Sequence, residues 1–259
     1  MSTKTRSTLM PQQPAPHSIE TTQATIDELT RVITTRRAVR RFTHEPIPES
    51  VLQSCLDMAL LAPNSSNLQP WEFVIIRTPA KKRKAAEYCM GQNAAKTAYV
   101  LIAVIARTDT WKNHCSDVLK HWPEHPIPDI VRRYYATYSP LNFALGPFNL
   151  LGCLKWGSIK IARIMNNTTI PDGQYSQATL KLWATKSTAL AAENLMLSFR
   201  AYGFDSCPME GFDESRMKKL LRLNKHQHII MMIGAGKRAD NGVYHAQFRF
   251  PREHFIKEV

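Results

Sequence analysis

The sequence predicts a single domain of helices packed on a sheet, α+β or α/β in class. Three segments, 71–76, 99–106 and 228–233, are rich in apolar and β-branched residues without polar alternation, as strands covered on both faces are. Residues 181–202 form a stretch that is apolar almost all round from Ser187 onward, which suits a helix buried in a core or a subunit interface. The composition agrees: 259 residues, 44% hydrophobic and 21% charged, fit a packed globular chain and exclude a disordered or fibrous one.

Residues 1–24 are polar and proline-containing, without the apolar core of a secretory signal or the amphipathic stripe of a transit peptide, and read as a disordered, solvated arm. A helix is predicted from Thr25, because Thr25-Ile26-Asp27-Glu28 fits a capping box, and it runs towards Arg36. Pro46 and Pro48 forbid its continuation. A second helix over 49–62 places Val51, Leu52, Cys55, Leu56, Met58 and Ala59 at helical spacing and stops at Pro63. The strands at 71–76 and 99–106 follow.

Residues 107–183 differ in kind. They hold four of the five tryptophans, six prolines (Pro123, Pro126, Pro128, Pro140 and Pro147 among them) and the aromatics Tyr134, Tyr135, Tyr138, Phe143 and Phe148. Such a segment is either a lid or binding loop, or an insertion held by its own small core, and both readings stand. The helix ending near Tyr202 stops at Gly203. Residues 202–213 read as a turn-rich loop, with Asp213 suited to cap the next helix.

Several classes of function are excluded or weakened. The longest apolar run, 98–106, has nine residues against the roughly 18 to 20 that cross a bilayer, so no membrane span is expected. Five cysteines without a CxxC pair suit reduced thiols in a cytoplasm. A net charge of +13 invites a polyanion, yet no helix-turn-helix, zinc finger or RNP motif accompanies it, and no nucleic acid is expected as partner. The basic residues concentrate at 31–41 and 77–84. His114, Cys115, His121 and His125 lack metal-ligand spacing, since Pro123 interrupts any helical i, i+4 pair, and no metal site is expected. Gly234-Ala235-Gly236-Lys237-Arg238-Ala239 matches a dinucleotide turn by accident, because Asp240-Asn241-Gly242 follows where a helix is required. There is no Gly-x-Ser-x-Gly elbow of a hydrolase.

Four pieces carry the functional reading. Arg36-Arg37-Ala38-Val39-Arg40-Arg41-Phe42 puts guanidinium forks, suited to phosphate oxygens, where a helix ends and the chain turns extended. Ala62-Pro63-Asn64-Ser65-Ser66-Asn67-Leu68-Gln69-Pro70-Trp71 is a small-polar loop between a helix and a buried strand. Tyr202-Gly203-Phe204-Asp205-Ser206-Cys207-Pro208-Met209-Glu210-Gly211-Phe212-Asp213 is the third, and Arg249-Phe250-Pro251 the last.

Together, in this order, they resemble the FMN-dependent nitroreductase family, over roughly residues 29–106 and 186–255. The resemblance implies an α+β, three-layer fold with a central mixed sheet flanked by helices, in an interlocked homodimer with two FMN sites at the interface. It implies one FMN-binding domain over 25–259, with 107–183 as an aromatic-rich insertion. Position by position, Arg36, Arg37 and Ala38 would lie along the FMN phosphate and ribityl chain, Arg249 would close on the phosphate, and Arg40 would sit at the pyrimidine edge of the ring. Pro63, Asn64, Ser65 and Asn67 would come from the partner subunit. Pro208, Met209, Glu210 and Gly211 would lie along the isoalloxazine, and Gln92 matches a less constant polar contact.

The implied activity passes a hydride from NADH or NADPH through flavin N5 to a nitroaromatic or similar electron-poor acceptor. The flavin does the redox chemistry, and no side chain is assigned a catalytic role. Quinones, enones or halogenated phenols are the alternative acceptors on the same fold, and a non-enzymatic basic binding protein is a remote one. Two positions depart from the family: Ala38 stands where Ser is usual, and Gln247 where some members carry a second phosphate-binding Lys. The insertion is longer than in short members.

Overall fold

The computed structural model describes residues 22–166, 169 and 171–259. The bulk of the predicted arm lies outside them. The first helix, α1 (Gln23–Thr35), is capped three residues earlier than Thr25: the Thr22 hydroxyl accepts a hydrogen bond from the Thr25 amide at 3.2 Å. Thr22 precedes a turn rich enough in helix formers to extend the helix backward, which the Thr25 box concealed. Helix α2 (Glu49–Leu60) buries Leu52, Cys55 and Ala59.

Strand β1 (Trp71–Ile76), helix α3 (Pro79–Tyr88), the short helix α4 (Asn93–Thr97) and strand β2 (Val100–Arg107) follow. Between 107 and 183 stand α5 (Trp111–Lys120), α6 (Asp129–Arg133), a π turn at Tyr134–Tyr138, α7 (Ser139–Phe143) and α8 (Leu150–Asn166). The long helix α9 (Gln177–Ala201) is stopped at Gly203, whose φ of +79° costs a glycine nothing. Strand β3 (Asp205–Met209), helix α10 (Glu214–Leu221) and strand β4 (Gln227–Gly236) complete the described elements. Asp213 caps α10 as expected, its carboxylate accepting from the Arg216 amide.

The four strands form one sheet in the order β1-β2-β4-β3, and every ladder is antiparallel. The mixed character expected of the sheet is reduced to one isolated parallel bridge, Ala38 with Ser206. β2 lies at the centre with all residues but Arg107 buried, which is why its sequence lacks polar alternation.

Helices cover both faces, giving three layers. On one face Ala192, Leu195, Met196 and Phe199 of α9, with Leu52 and Cys55 of α2, pack on Val100, Ile102, Val104 and Ile233. On the other, α3, α4 and α10 deliver Ala85, Cys89, Ala95 and Met217 to Leu101, Ala103, Ile105 and Met232. The small residues let α4 approach closely: a Cβ on Gly234 would stand 2.8 Å from the Ala94 carbonyl oxygen. That contact accounts for Gly234, and the Phe42 side chain, 3.0 Å from a Cβ placed on Gly236, accounts for the second glycine of the Gly-x-Gly run.

Two sequence readings change. Residues 205–209, read as part of a loop, are the edge strand β3. The five-residue run is short and contains Pro208, which only an edge strand tolerates. The strand at 228–233 extends to Gln227–Gly236.

The aromatics of 107–183 divide. Phe143 and Trp183 are buried with ring centroids 4.5 Å apart, and with Trp111, Leu68, Cys115, Leu145 and Leu180 they form a satellite core. Tyr134, Tyr138, Phe148 and Trp156 are exposed.

One polar cluster joins these parts. Asp205, 3% exposed, accepts from the Arg238 Nε and Nη2 at 3.1 and 2.7 Å and from Arg200 Nη1 at 3.3 Å. Arg200 also donates to the Thr35 hydroxyl at 2.9 Å. Asp205→Ala leaves two half-buried guanidiniums without their acceptor and is expected to cost about 3 kcal/mol in urea unfolding, the scale of breaking a buried ion pair. A loss below about 1 kcal/mol, the worth of a surface pair, would show that the cluster is not an anchor.

Candidate functional site

Helix α1 ends at Thr35, and the chain turns extended. Val39 donates its amide to the Ser206 carbonyl at 3.1 Å, and Arg40 donates to the Gly242 carbonyl. This strand-like segment alternates: Val39 is fully buried in the core, whereas Ala38 and Arg40 point to the other side. On that side, 36–40 and the C-terminal segment 243–249 enclose a cleft of about 380 Å³. Its lining includes Arg36, Arg37, Ala38, Arg40, Tyr244, Gln247 and Arg249. Residues separated by some two hundred positions in sequence thus place four guanidiniums around one opening.

Little within the chain neutralises them. Arg36 reaches Glu193 only at 3.8 Å, Arg37 donates to the His245 carbonyl at 2.5 Å, and Arg249 donates to the Phe248 carbonyl at 2.7 Å. Carbonyls orient these side chains without cancelling their charge. A Tyr244 hydroxyl at the rim accepts from Asn93 at 3.2 Å, and that bond, then Arg41, lowers its pKa.

The strand β3 lies behind this segment. Pro208 and Met209 are its last residues, and Glu210 and Gly211 follow. Gln92 donates to the Gly211 carbonyl at 2.9 Å, so these two candidate residues meet, although neither lines the arginine cleft. Cys207 sits against Arg40; burial pushes its thiol pKa up, and the Arg40 charge and hydrogen bond only partly offset this.

The loop Pro63–Asn67 stands elsewhere in the chain. Asn67 and Gln69 line a second cleft, of about 480 Å³, with His114, Asp117, His121 and Trp122. Asn64 Oδ1 accepts from the Gln69 amide at 2.8 Å, and Ser66, Asn67 and Gln69 adopt φ values of +61°, +47° and +44°. The insertion holds this strained loop: the Tyr134 hydroxyl lies 2.6 Å from Ser66 Oγ, Tyr135 donates to the Ser66 carbonyl at 3.0 Å, and His114 Nδ1 meets the Leu68 carbonyl at 2.6 Å. Reasoning from sequence missed Tyr134, Tyr135 and His114 as supports of the loop. Nothing in their spacing to residues 66–68 marks the contact.

The cleft suits a phosphorylated ligand because it concentrates the fixed positive charge of four guanidiniums. Helices over both faces of this sheet define a class, the nitroreductase-like α+β fold. A nitroreductase from Exiguobacterium sibiricum solved in complex with FMN superposes with a TM-score of 0.65 at 21% identity, over 89% of this chain and 97% of that one.

The profile of the nitroreductase family matches residues 33–237, and the chain belongs to that family. It is an oxidoreductase. A protein of Thermus thermophilus named NADH dehydrogenase is 29% identical over 92% of this chain and 98% of its own length. The 4-nitrobenzoate reductase of Pseudomonas putida is 26% identical over 88% of this chain and 92% of its own.

The thiols provide a check on the site's packing. Burial raises the Cys55 pKa to about 12 and the Cys89 pKa to about 11, and it raises those of Cys115 and Cys207. Cys153 is exposed. Because a raised pKa leaves little thiolate below it, a maleimide at about pH 8 is expected to label Cys153 rapidly and the other four only after denaturation. Rapid labelling of Cys207 in the native protein would contradict its burial behind Arg40.

Proposed function

We propose that the arginine-lined cleft is the FMN site of an NAD(P)H-dependent reductase working as a homodimer, with a nitroaromatic or similar electron-poor compound as acceptor. The observation that carries this reading is the convergence of Arg36, Arg37, Arg40 and Arg249 on one cleft. Family membership supports the cofactor, and the complex of the Exiguobacterium relative supports it further.

When bound, FMN supplies a ring that takes up a hydride and passes it on. The chain's own residues bind and orient it. Arg36, Arg37 and Arg249 hold the phosphate as charged, forked donors, each bond being short and charge-assisted. Ala38 brings no hydroxyl to the ribityl chain. Arg40, whose backbone amide donates a hydrogen bond to the Gly242 carbonyl, would place a permanent cation beside the pyrimidine edge, where it favours negative charge on the ring. Pro208, Met209, Glu210 and Gly211 form the backbone wall along the ring, and Gln92 fixes that wall through Gly211.

The dimer reading rests on unpaired apolar faces and on the placement of the small-polar loop. Ile26, Leu29 and Ile33 form an exposed stripe on α1, and Met58, Leu61, Leu182 and Leu190 are exposed along α2 and α9. Pro63, Asn64, Ser65 and Asn67, away from the arginine cleft of their own chain, are then the contribution to the partner's site. Contiguous apolar patches of this kind mark interaction surfaces.

The purified protein is expected to be yellow with near-stoichiometric flavin, bleached by NADH or NADPH without oxygen. A colourless protein that takes up no added FMN would refute the assignment. Arg36→Ala and Arg249→Ala are each expected to weaken FMN binding by about 1.5 to 3 kcal/mol, the scale of one hydrogen bond to a charged group. Unchanged affinity in fluorescence titration would remove them from the phosphate.

A further inference from the structure

Helix α8 carries an apolar face that the described residues leave bare. Its inner side is engaged: Lys155 donates to the carbonyls of Leu141, Asn142 and Ala144 at 3.1, 2.8 and 2.8 Å, and Gly152 is buried against the Tyr175 backbone, where a Cβ would clash. On the outer side Leu150, Leu154, Ile161, Ile164 and Met165 recur at spacings of three, four and seven, forming one stripe about 22 Å long at 1.5 Å per residue. All five are more than half exposed, Ile164 at 83%.

Three observations say what covers this stripe. Between Asp129 and Asp172 the sequence contains no acidic residue and five basic ones. On the helix itself, Lys160 borders one flank with Trp156 beyond it, the Lys160 ammonium lying 5.7 Å from the Trp156 ring, whereas Arg163 lies nearer the inner side and pairs with Asp172. Immediately before the helix, Phe148 and Asn149 are held at φ +49° and +64°, a strained conformation for bulky side chains, and Phe148 is fully solvent-exposed.

An apolar stripe flanked by Lys160 and Trp156, in a segment without acidic residues on a chain of net charge +13, is complementary to an anionic lipid surface. A two-fold contact between copies would instead bring each cationic flank toward another of the same sign. The glycine and proline at 146 and 147, which make residues 141–154 read poorly as an amphipathic helix, precede α8 rather than interrupt it.

We infer that α8, with Phe148 at its start, is a peripheral docking surface for an anionic lipid bilayer, lying in the plane of the headgroups rather than crossing them. Among the described residues no helix is long and apolar enough to cross a membrane. Lys160 faces the headgroups, and the stripe enters the acyl boundary. The inference is independent of the flavin assignment, since it uses none of the cleft residues.

The test is co-sedimentation of the full-length protein with vesicles of phosphatidylcholine and phosphatidylglycerol, against vesicles of phosphatidylcholine alone. The wild type is expected to bind the anionic vesicles, to release as salt rises, and to show a blue shift of emission that Trp156→Phe diminishes. Ile161→Asp combined with Ile164→Asp is expected to lower partitioning at least about tenfold, the effect of withdrawing one buried aliphatic side chain. Circular dichroism checks its fold, and Lys160→Glu, a fully surface change, is expected to weaken binding to anionic vesicles in the same direction. Failure of the wild type to sediment, or equal binding by the folded variants, overturns the inference. So does a shift of the double variant to a smaller species in light scattering, which would assign the stripe to a second copy of the chain.

Discussion

Asp205 holds the molecule's separate parts in register. Its buried carboxylate takes both the last turn of α9, through Arg200, and the segment after β4, through Arg238. Arg200 continues to Thr35, the final residue of α1. The next residue of β3, Ser206, receives the Val39 amide. One carboxylate on an edge strand therefore fixes where α1 ends and where the arginine segment begins. A neutral or misplaced residue here would free two guanidiniums in a low-dielectric setting and loosen Arg36–Arg40 at the same time. The cost of burying this cluster is tolerable because each charge has partners, and the geometry it enforces is what the cleft needs.

Charge is distributed by role. Arg36, Arg37, Arg40 and Arg249 face one opening, and Arg37 and Arg249 are oriented by main-chain carbonyls, which leave their charge available to a ligand. Arg200 and Arg238 are spent on structure. The cations of α8 lie on the insertion, beside exposed aliphatic side chains. The basic residues named here thus serve separate ends rather than one polyanion-binding surface.

The insertion also serves the core enzyme. Its satellite core of Phe143, Trp183 and Trp111 is rigid, and from that base Tyr134, Tyr135 and His114 reach the loop at 66–68. A loop with three non-glycine residues in left-handed conformations requires such support, because each pays for a backbone the free chain avoids. The same segment thereby couples a folding role on its inner side to an open surface on its outer side.

The sequence by itself determined the layered class, the limits of β1 and, to within two residues, those of α2 and β2, the buried long helix, the Asp213 cap and the family resemblance. These rest on local physics: apolar periodicity, proline and glycine stops, and side-chain caps. It could not determine β3, because five residues including a proline carry no strand signature and become a strand only when β4 offers its edge. The same holds for the cap at Thr22, where two threonines competed, and for α8, whose start depends on the turn before it. Only the tertiary structure brought Arg249 to Arg36 and separated both from Pro63–Asn67, since contacts across two hundred residues follow from packing of the sheet and leave no local pattern in the chain.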